Sequence, residues 1–160
     1  MVKNRQIVVF KIEQESYGVP IDAVQEIVRV PDVTTVPDAP PFFMGVINLR
    51  GRIVPVVDLR ARLRLAPAER TKHTRVLVTE TDGRVIGILV DSVSEVRKLQ
   101  SGAVEQPPDM IAAVGIEYIT GVARIGERLI IFLDVEKILS VSDMNKVAST
   151  VGQAVHTSVA

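Results

Sequence analysis

The sequence predicts an all-β protein made of two small barrels packed together. Two observations carry that reading: a long segment that recurs, and short β-branched apolar runs with no competing helical period. GVINLRGRIVPVVDL at 45–59 returns as GVARIGERLIIFLDV at 121–135, with Gly45 on Gly121, Val46 on Val122, Arg52 on Arg128 and Asp58 on Asp134 at a constant offset of 76 residues. Upstream, GVPIDAVQEI (18–27) overlies GILVDSVSEV (87–96) at an offset of 69, matching Gly18 to Gly87, Asp22 to Asp91, Val24 to Val93 and Glu26 to Glu95. The seven-residue difference places one insertion between the blocks, in the Pro-rich EQPPDM (105–110), where a loop absorbs extra chain at little cost. A copy of roughly 60–70 residues is close to the smallest unit that folds alone, and packing two copies together solves that problem.

Strands are expected at IVVFKI, RVLVTE, RVIGILV and RLIIFL, where Val, Ile, Thr and aromatic residues cluster between Gly, Pro, Asp and Ser. Each recurring block holds a tight hairpin, at Arg50-Gly51 in the first copy and Gly126-Glu127 in the second. The glycine supplies one residue free to take positive φ, and its shift by one position implies different turn types. Pro55, inside IVPVV, cannot donate a ladder hydrogen bond, so its strand is expected at an edge or bulged there; Ile131 replaces it in the second copy. Asp58 and Asp134 end apolar strands and precede LRARL and VEKIL, which reads as N-capping of short helical turns rather than catalysis. Beyond Leu139, Met144, Val147, Val151 and Val155 trace one weak apolar stripe on a helix. The expected organisation is a single domain over 1–160, with a first barrel copy at about 8–70, a second at about 71–139 and a C-terminal helix and tail at 140–160.

Composition narrows function. The 160 residues are 47% hydrophobic, enough for a real core, and carry 19 basic and 19 acidic side chains, so no overall field attracts nucleic acid, anionic membrane or acidic substrate. The absence of cysteine removes disulfides, thiolate nucleophiles and sulfur-ligated zinc. Two histidines remain: His73 in a polar loop and His156 in the tail, both read as solvated surface. No metal-ligand spacing, Walker loop or GxGxxG after a strand is present, so neither an enzyme nor a cofactor or metal site is expected. No apolar run approaches the roughly 18 residues that span a bilayer, which makes the cytoplasm the expected location.

Among charged residues, those of RGR (50–52) and DLRARLR (58–64) could form a phosphate-binding patch of an RNA-binding barrel, but aromatics are only 4% and solvated helix charges are preferred for Arg60, Arg62 and Arg64. Glu26 and Glu95 could be a catalytic carboxylate pair, yet duplication explains their recurrence without chemistry. Arg50 differs from the other arginines in standing beside a turn glycine at the rim of the expected barrel. What recurs is apolar surface, and the groove between two barrels suits a protein partner.

The stretch FFMGVINLRGRIVPVVDLR (42–60), with YGVPIDAVQEI (17–27) and EYITGVARIGERLIIFLDVEKIL (117–139), closely resembles the CheW family of chemotaxis coupling proteins, in order from about Val8 to Leu139. The resemblance implies two five-stranded SH3-like barrels and a non-enzymatic adaptor. Its implied partners are the cytoplasmic tips of chemoreceptors and the regulatory domain of the histidine kinase CheA, to which it is recruited in membrane-associated arrays. A length of 160 residues suits a stand-alone adaptor, for flagellar chemotaxis or for another receptor-kinase pathway such as surface sensing. Carried over residue by residue, the receptor-facing groove matches Val24, Glu26, Ile27, Gly45 and Arg50, with Glu26 expected to pair with Arg50. A Cβ at Gly45 would intrude where either a partner's backbone or a neighbouring strand approaches. The resemblance assigns no kinase-contact residues here.

Overall fold

A computed structural model describes residues 4–81, 83–100, 104–105 and 118–138, so the expected C-terminal helix at 140–160 lies outside the described residues. The chain runs β1 (Asn4–Ile12), β2 (Glu15–Pro20), a single 3-10 turn (Ile21–Ala23), β3 (Val24–Arg29), β4 (Phe43–Leu49), β5 (Arg52–Asp58), α1 (Leu59–Arg62), β6 (Arg75–Thr81), β7 (Arg84–Val90), β8 (Ser92–Gln100), β9 (Val104–Glu105), β10 (Ile119–Ile125), β11 (Arg128–Leu133) and α2 (Val135–Ile138). The all-β reading holds, with two barrels formed by a five-stranded sheet ordered β3-β6-β7-β5-β4 and a six-stranded sheet ordered β8-β1-β2-β11-β10-β9. The sixth strand is the two-residue β9 beside Val122 and Ala123; at the matching place in the other sheet a single bridge joins Thr34 to Val46.

The sheets do not follow the two sequence halves at 8–70 and 71–139. Hairpin β1–β2 from the first half sits in the six-stranded sheet with β8, β10 and β11, and hairpin β6–β7 from the second half sits in the five-stranded sheet with β3, β4 and β5. Under the repeat, β1 corresponds to β6, β2 to β7, β3 to β8, β4 to β10 and β5 to β11, so the two sheet orders are the same order with hairpins exchanged. The register keeps the correspondence: Val56 pairs in parallel with Gly87, and Phe132 in parallel with Gly18. Linker length dictates the exchange. Only Asp91 separates β7 from β8, and only the 3-10 turn separates β2 from β3. Neither linker is long enough to carry the chain round into its own sheet, so each hairpin hands it on to the other barrel.

The core reflects this geometry. Ile7 and Val9 of β1 point into the six-stranded barrel with Ala123 and Ile130, while Val8, Phe10 and Ile12 point the other way, into a cluster shared with Val57, Ile88 and Val90 of the other sheet and Leu59 of α1. β6 repeats the pattern, with Val76 and Val78 inside the five-stranded barrel and Leu77 in the shared cluster. Strands buried on both faces read as unbroken apolar runs, which is why IVVF and VLV lack alternation.

The turns differ as expected, though the first hairpin is left-handed at both central residues, Arg50 (φ 53°) and Gly51 (φ 83°), whereas the second is so only at Gly126 (φ 62°). These are the patterns of type I′ and type II′ turns. Asn48 Oδ1 accepts from the Gly51 amide at 2.8 Å and steadies the first. Asp58 accepts from the Arg60 amide at 3.0 Å and Asp134 from the Glu136 amide at 2.9 Å, so both aspartates cap as read. Pro55 departs from expectation: β5 is interior, between β7 and β4, and the register break with β4 falls at Phe43/Gly45. It is tolerated because the parallel ladder with β7 starts only at Val56.

Gly45 and Gly121 sit at equivalent register breaks. A Cβ on Gly45 (φ 148°) would overlap the Thr34 carbonyl oxygen and lie 2.8 Å from Val33 Cγ1. One on Gly121 would meet Val104 Cγ1 at 2.5 Å and the Glu105 carbonyl oxygen at 2.9 Å. The neighbouring segment of the same chain therefore imposes the glycine in both copies.

Two arginines read as solvated are instead clamps between the sheets. Arg60, its side chain only 13% exposed, donates Nε to Asp91 Oδ1 at 2.9 Å and Nη2 to Asp91 Oδ2 at 2.6 Å, and reaches Glu13 Oε1 and the Ala66 carbonyl through Nη1. Asp91 lies on the crossing between sheets and also accepts from the Glu13 amide at 2.7 Å. Arg62 donates to the Ile138 carbonyl and stacks over Tyr118, 5.4 Å from the ring centroid. Burial pushes the Asp91 carboxyl up, but the hydrogen bonds from Arg60 and the Glu13 amide, with the Arg60 charge, outweigh it and hold Asp91 below its ordinary value.

Replacing Arg60 by methionine is expected to destabilise the protein by about 2 kcal/mol at neutral pH, measured by chemical denaturation. Asp91 has a lowered folded pKa, so its contribution is full above the unfolded value of about 3.9 and disappears as pH falls through the folded value; the gap between wild type and variant should narrow below about pH 4. A gap independent of pH would refute the ion-pair account. Gly45→Ala should cost roughly 3 kcal/mol or more, because steric overlap with Thr34 adds to the unfavourable φ. Gly51→Ala, left-handed but facing open space, should cost only about 1 kcal/mol. Equal costs would show that φ alone decides.

Candidate functional site

Two of the residues singled out from the sequence, Glu26 and Arg50, are brought together at the rim of the five-stranded barrel, across its two outer strands. β3 is one end of the sheet order and β4 the other. Arg50, in the β4–β5 hairpin, donates Nη1 to Glu26 Oε1 on β3 at 2.9 Å, and Nη2 pairs with Glu26 Oε2. The expected pair is thus present as a two-pronged fork, and it ties the β3 edge to the opposite hairpin. The hydrogen bond from Arg50, aided by its charge, holds Glu26 below the usual carboxylate range against the opposing effect of burial. Arg50 is largely exposed, so the pair fixes geometry more than it stabilises the fold.

The other candidates take different places. Exposure alternates along β3: Val24, Glu26 and Val28 are half-buried, while Gln25, Ile27 and Arg29 face outward. The register break between Val24 and Glu26 turns the two to different faces: Val24 packs against the shared core, Glu26 and Val28 lie opposite Val78 and Val76 of the barrel interior, and Ile27 is exposed to solvent. Gly45 is buried beneath residues 33–34 and supports the rim from inside.

The second barrel carries the matching arrangement. Glu95, repeat partner of Glu26, accepts from Arg128 Nη2 at 3.0 Å and lies 3.6 Å from Arg97 Nη1. Arg128 aligns with Arg52 rather than Arg50, so the cation has moved from the turn to the strand that follows it. Four of the five exposed large apolar residues recur as well: Ile27 (39%) and Ile53 (46%) on the first barrel align with Val96 (51%) and Leu129 (51%) on the second, and Val104 of β9 stands apart. Sequence reasoning missed Ile53 and Leu129 because each lies in an apolar strand, where periodicity alone does not separate core from surface, and missed Val96 in the mixed strand β8. The repeat held the signal, since 27 and 96 keep the offset of 69, and 53 and 129 that of 76.

Among the described residues no group of three His, Cys, Asp or Glu side chains could hold a metal, and no helix is long and apolar enough to cross a membrane. The arrangement offers exposed apolar side chains next in sequence to fixed ion pairs on each barrel, which is chemistry for holding another macromolecule.

Known proteins agree with this architecture. Residues 6–143 match the family model of the CheW-like domain. The chain is 38% identical over 141 residues to the chemotaxis protein CheW of Klebsiella aerogenes, covering 88% of this chain and 85% of that one. It is 34% identical over 148 residues to the chemotaxis protein CheW of Treponema pallidum, covering 90% and 87%. A crystal structure of the scaffolding protein TtCheW from Thermoanaerobacter tengcongensis superposes with a TM-score of 0.79 at 32% identity, over 87% of this chain and 94% of that one. With the family model spanning most of its length, both barrels included, this chain belongs to the CheW-like family.

Proposed function

We propose that this protein is a non-enzymatic chemotaxis adaptor that couples the cytoplasmic tips of chemoreceptors to the regulatory domain of a CheA-type histidine kinase. The observation that carries the reading is the repeat-related recurrence of exposed apolar side chains, Ile27 and Ile53 on one barrel and Val96 and Leu129 on the other, in a chain whose relatives are named chemotaxis and scaffolding proteins. An adaptor needs two surfaces in fixed relative geometry. The shared core and the Arg60 clamp supply the rigidity, and the two rims supply the surfaces.

The receptor surface is assigned to the first rim: Val24, Glu26, Ile27 and Arg50, with Gly45 beneath them. Ile53 extends it, lying three residues beyond Arg50 at the start of β5. A helical receptor tip would set apolar side chains against Ile27 and Ile53 and meet a fixed charge pattern at Glu26–Arg50. The second rim, with Val96 and Leu129 exposed, is then open to the kinase. The protein works in the cytoplasm and reaches the membrane through the receptors it binds. Its influence on phosphorylation is allosteric and exerted through the kinase.

Calorimetric titration with a receptor tip fragment and with the kinase regulatory domain tests this. Saturable binding to both is expected; binding to neither by the folded protein would reject the role. Ile27→Asp and Arg50→Glu should each weaken receptor binding at least about tenfold, and Val96→Asp should weaken kinase binding by a similar factor while leaving the receptor titration unchanged. The exchanged double variant Glu26→Arg/Arg50→Glu should preserve the thermal midpoint yet not restore receptor affinity, because the pair would survive with its charge pattern inverted. Full recovery of receptor affinity would reduce the pair to scaffolding.

A further inference from the structure

The end of the five-stranded barrel remote from the β6–β7 turn carries a second kind of site. An open cavity of about 470 Å³ is walled by Arg29 at the end of β3, Arg75 at the start of β6, and Arg70, Lys72 and His73 of the loop before β6, with Val30 its one apolar wall. Thr71 and Thr74 complete the walls, and no carboxylate lines it. The nearest acids in the chain, Asp32 and Glu69, lie outside.

Arg29 and Arg75 stand directly opposite each other in the antiparallel β3–β6 register. Like charges in that position repel across about 5 Å and weaken a sheet. Among the described residues none of Arg29, Arg70, Lys72 and Arg75 makes a salt bridge. In a chain of formal net charge zero, four permanent cations are thus gathered around one space with nothing to neutralise them.

The cavity is also held in shape. Thr74 Oγ1 accepts from the Thr71 amide at 2.8 Å, and Thr71 Oγ1 accepts from the His73 amide at 3.0 Å, closing the loop on itself. Arg75 Nη1 donates to the carbonyls of Lys72 and Thr74, both at 2.9 Å, which pins its guanidinium at the cavity wall. Fixed arginine forks match phosphate oxygens better than a single carboxylate, and several cations suit an anion of more than one charge.

We propose that this cavity binds clustered phosphates, either those of a soluble polyphosphate ester or the adjoining headgroups of an anionic phospholipid surface. No aromatic side chain lines it, so recognition rests on the phosphates and is indifferent to any attached base.

The test titrates the full chain, at low salt, with sodium tripolyphosphate, with ATP and GTP, and with phosphatidylglycerol vesicles against phosphatidylcholine vesicles. Expected is saturable binding of tripolyphosphate or of the phosphatidylglycerol vesicles, with ATP and GTP alike; the arm that binds more tightly identifies the source. Affinity should fall at least about tenfold between 50 and 300 mM salt through screening. Arg29→Gln/Lys72→Gln should lose at least about tenfold in affinity while melting no lower than wild type without ligand, since it removes a repulsion. Arg84→Gln/Arg124→Gln, which removes two cations elsewhere, should bind as wild type does. Binding in no arm, or an equal loss in both double variants, overturns the proposal.

Discussion

Strands β1 and β6 each bury both faces, one inside a barrel and the other in the cluster between barrels, and the rest of the molecule depends on that double burial. A barrel of this size formed from one repeat would enclose only a few aliphatic side chains, too small a core to offset the chain entropy of closing it. Passing a hairpin to the other repeat changes this. Val8, Phe10 and Ile12 from one exchanged hairpin and Leu77, Ile86 and Ile88 from the other meet in the cluster between the sheets, so neither barrel is complete without its partner. The repeat halves are consequently units of sequence, and the folding unit is the pair.

Polar contacts then lock an arrangement that apolar packing alone leaves free to slide. Asp91 is the single residue between β7 and β8, where the chain leaves one sheet for the other. Arg60, reaching it from α1 and touching Glu13 in the β1–β2 turn, joins both sheets at the crossing. A two-pronged, largely desolvated guanidinium–carboxylate pair resists rotation as a methyl contact does not. Arg62 does the same on the other side of α1, reaching Tyr118 and Ile138. The Leu59–Arg62 helix is a single turn, but it orients both arginines across the inter-barrel boundary.

The strands, the caps and the two hairpins were legible because their signals are local: β-branched runs, aspartates after strands and turn glycines. The offsets of 69 and 76 made the duplication legible without any knowledge of a family. Strand partnership was not legible, since β1 and β6 occupy equivalent repeat positions and the pattern fits either sheet equally well; only the short linkers, Asp91 and the turn at Ile21–Ala23, distinguish the choices. Arg60 was misread because an arginine in a short helix is usually solvated, and its carboxylate partner lies 31 residues away in sequence. Pro55 was read as marking an edge because a ladder's starting point is a tertiary fact. At the rim, the Glu26–Arg50 pair came from the resemblance, whereas Ile53 and Leu129 became visible only when exposure was set beside the repeat.

Duplication would make two equal rims, and equal rims would favour equal partners. The ways in which these two differ therefore bear on the proposed adaptor role. In the first, the cation paired to the β3 glutamate sits within the turn, held at positive φ by a residue other than glycine and projecting largely into solvent. In the second, glycine takes the turn and the cation moves to the first residue of β11, where Glu95 is shared between Arg128 and Arg97. The apolar neighbours change as well, from two isoleucines to a valine and a leucine. Shape and charge pattern thus diverge while the backbone frame beneath them is kept. A molecule that holds two unlike partners at a constant angle requires that combination: a frame made rigid by exchanged hairpins, and rims free to specialise because neither lies within the shared core.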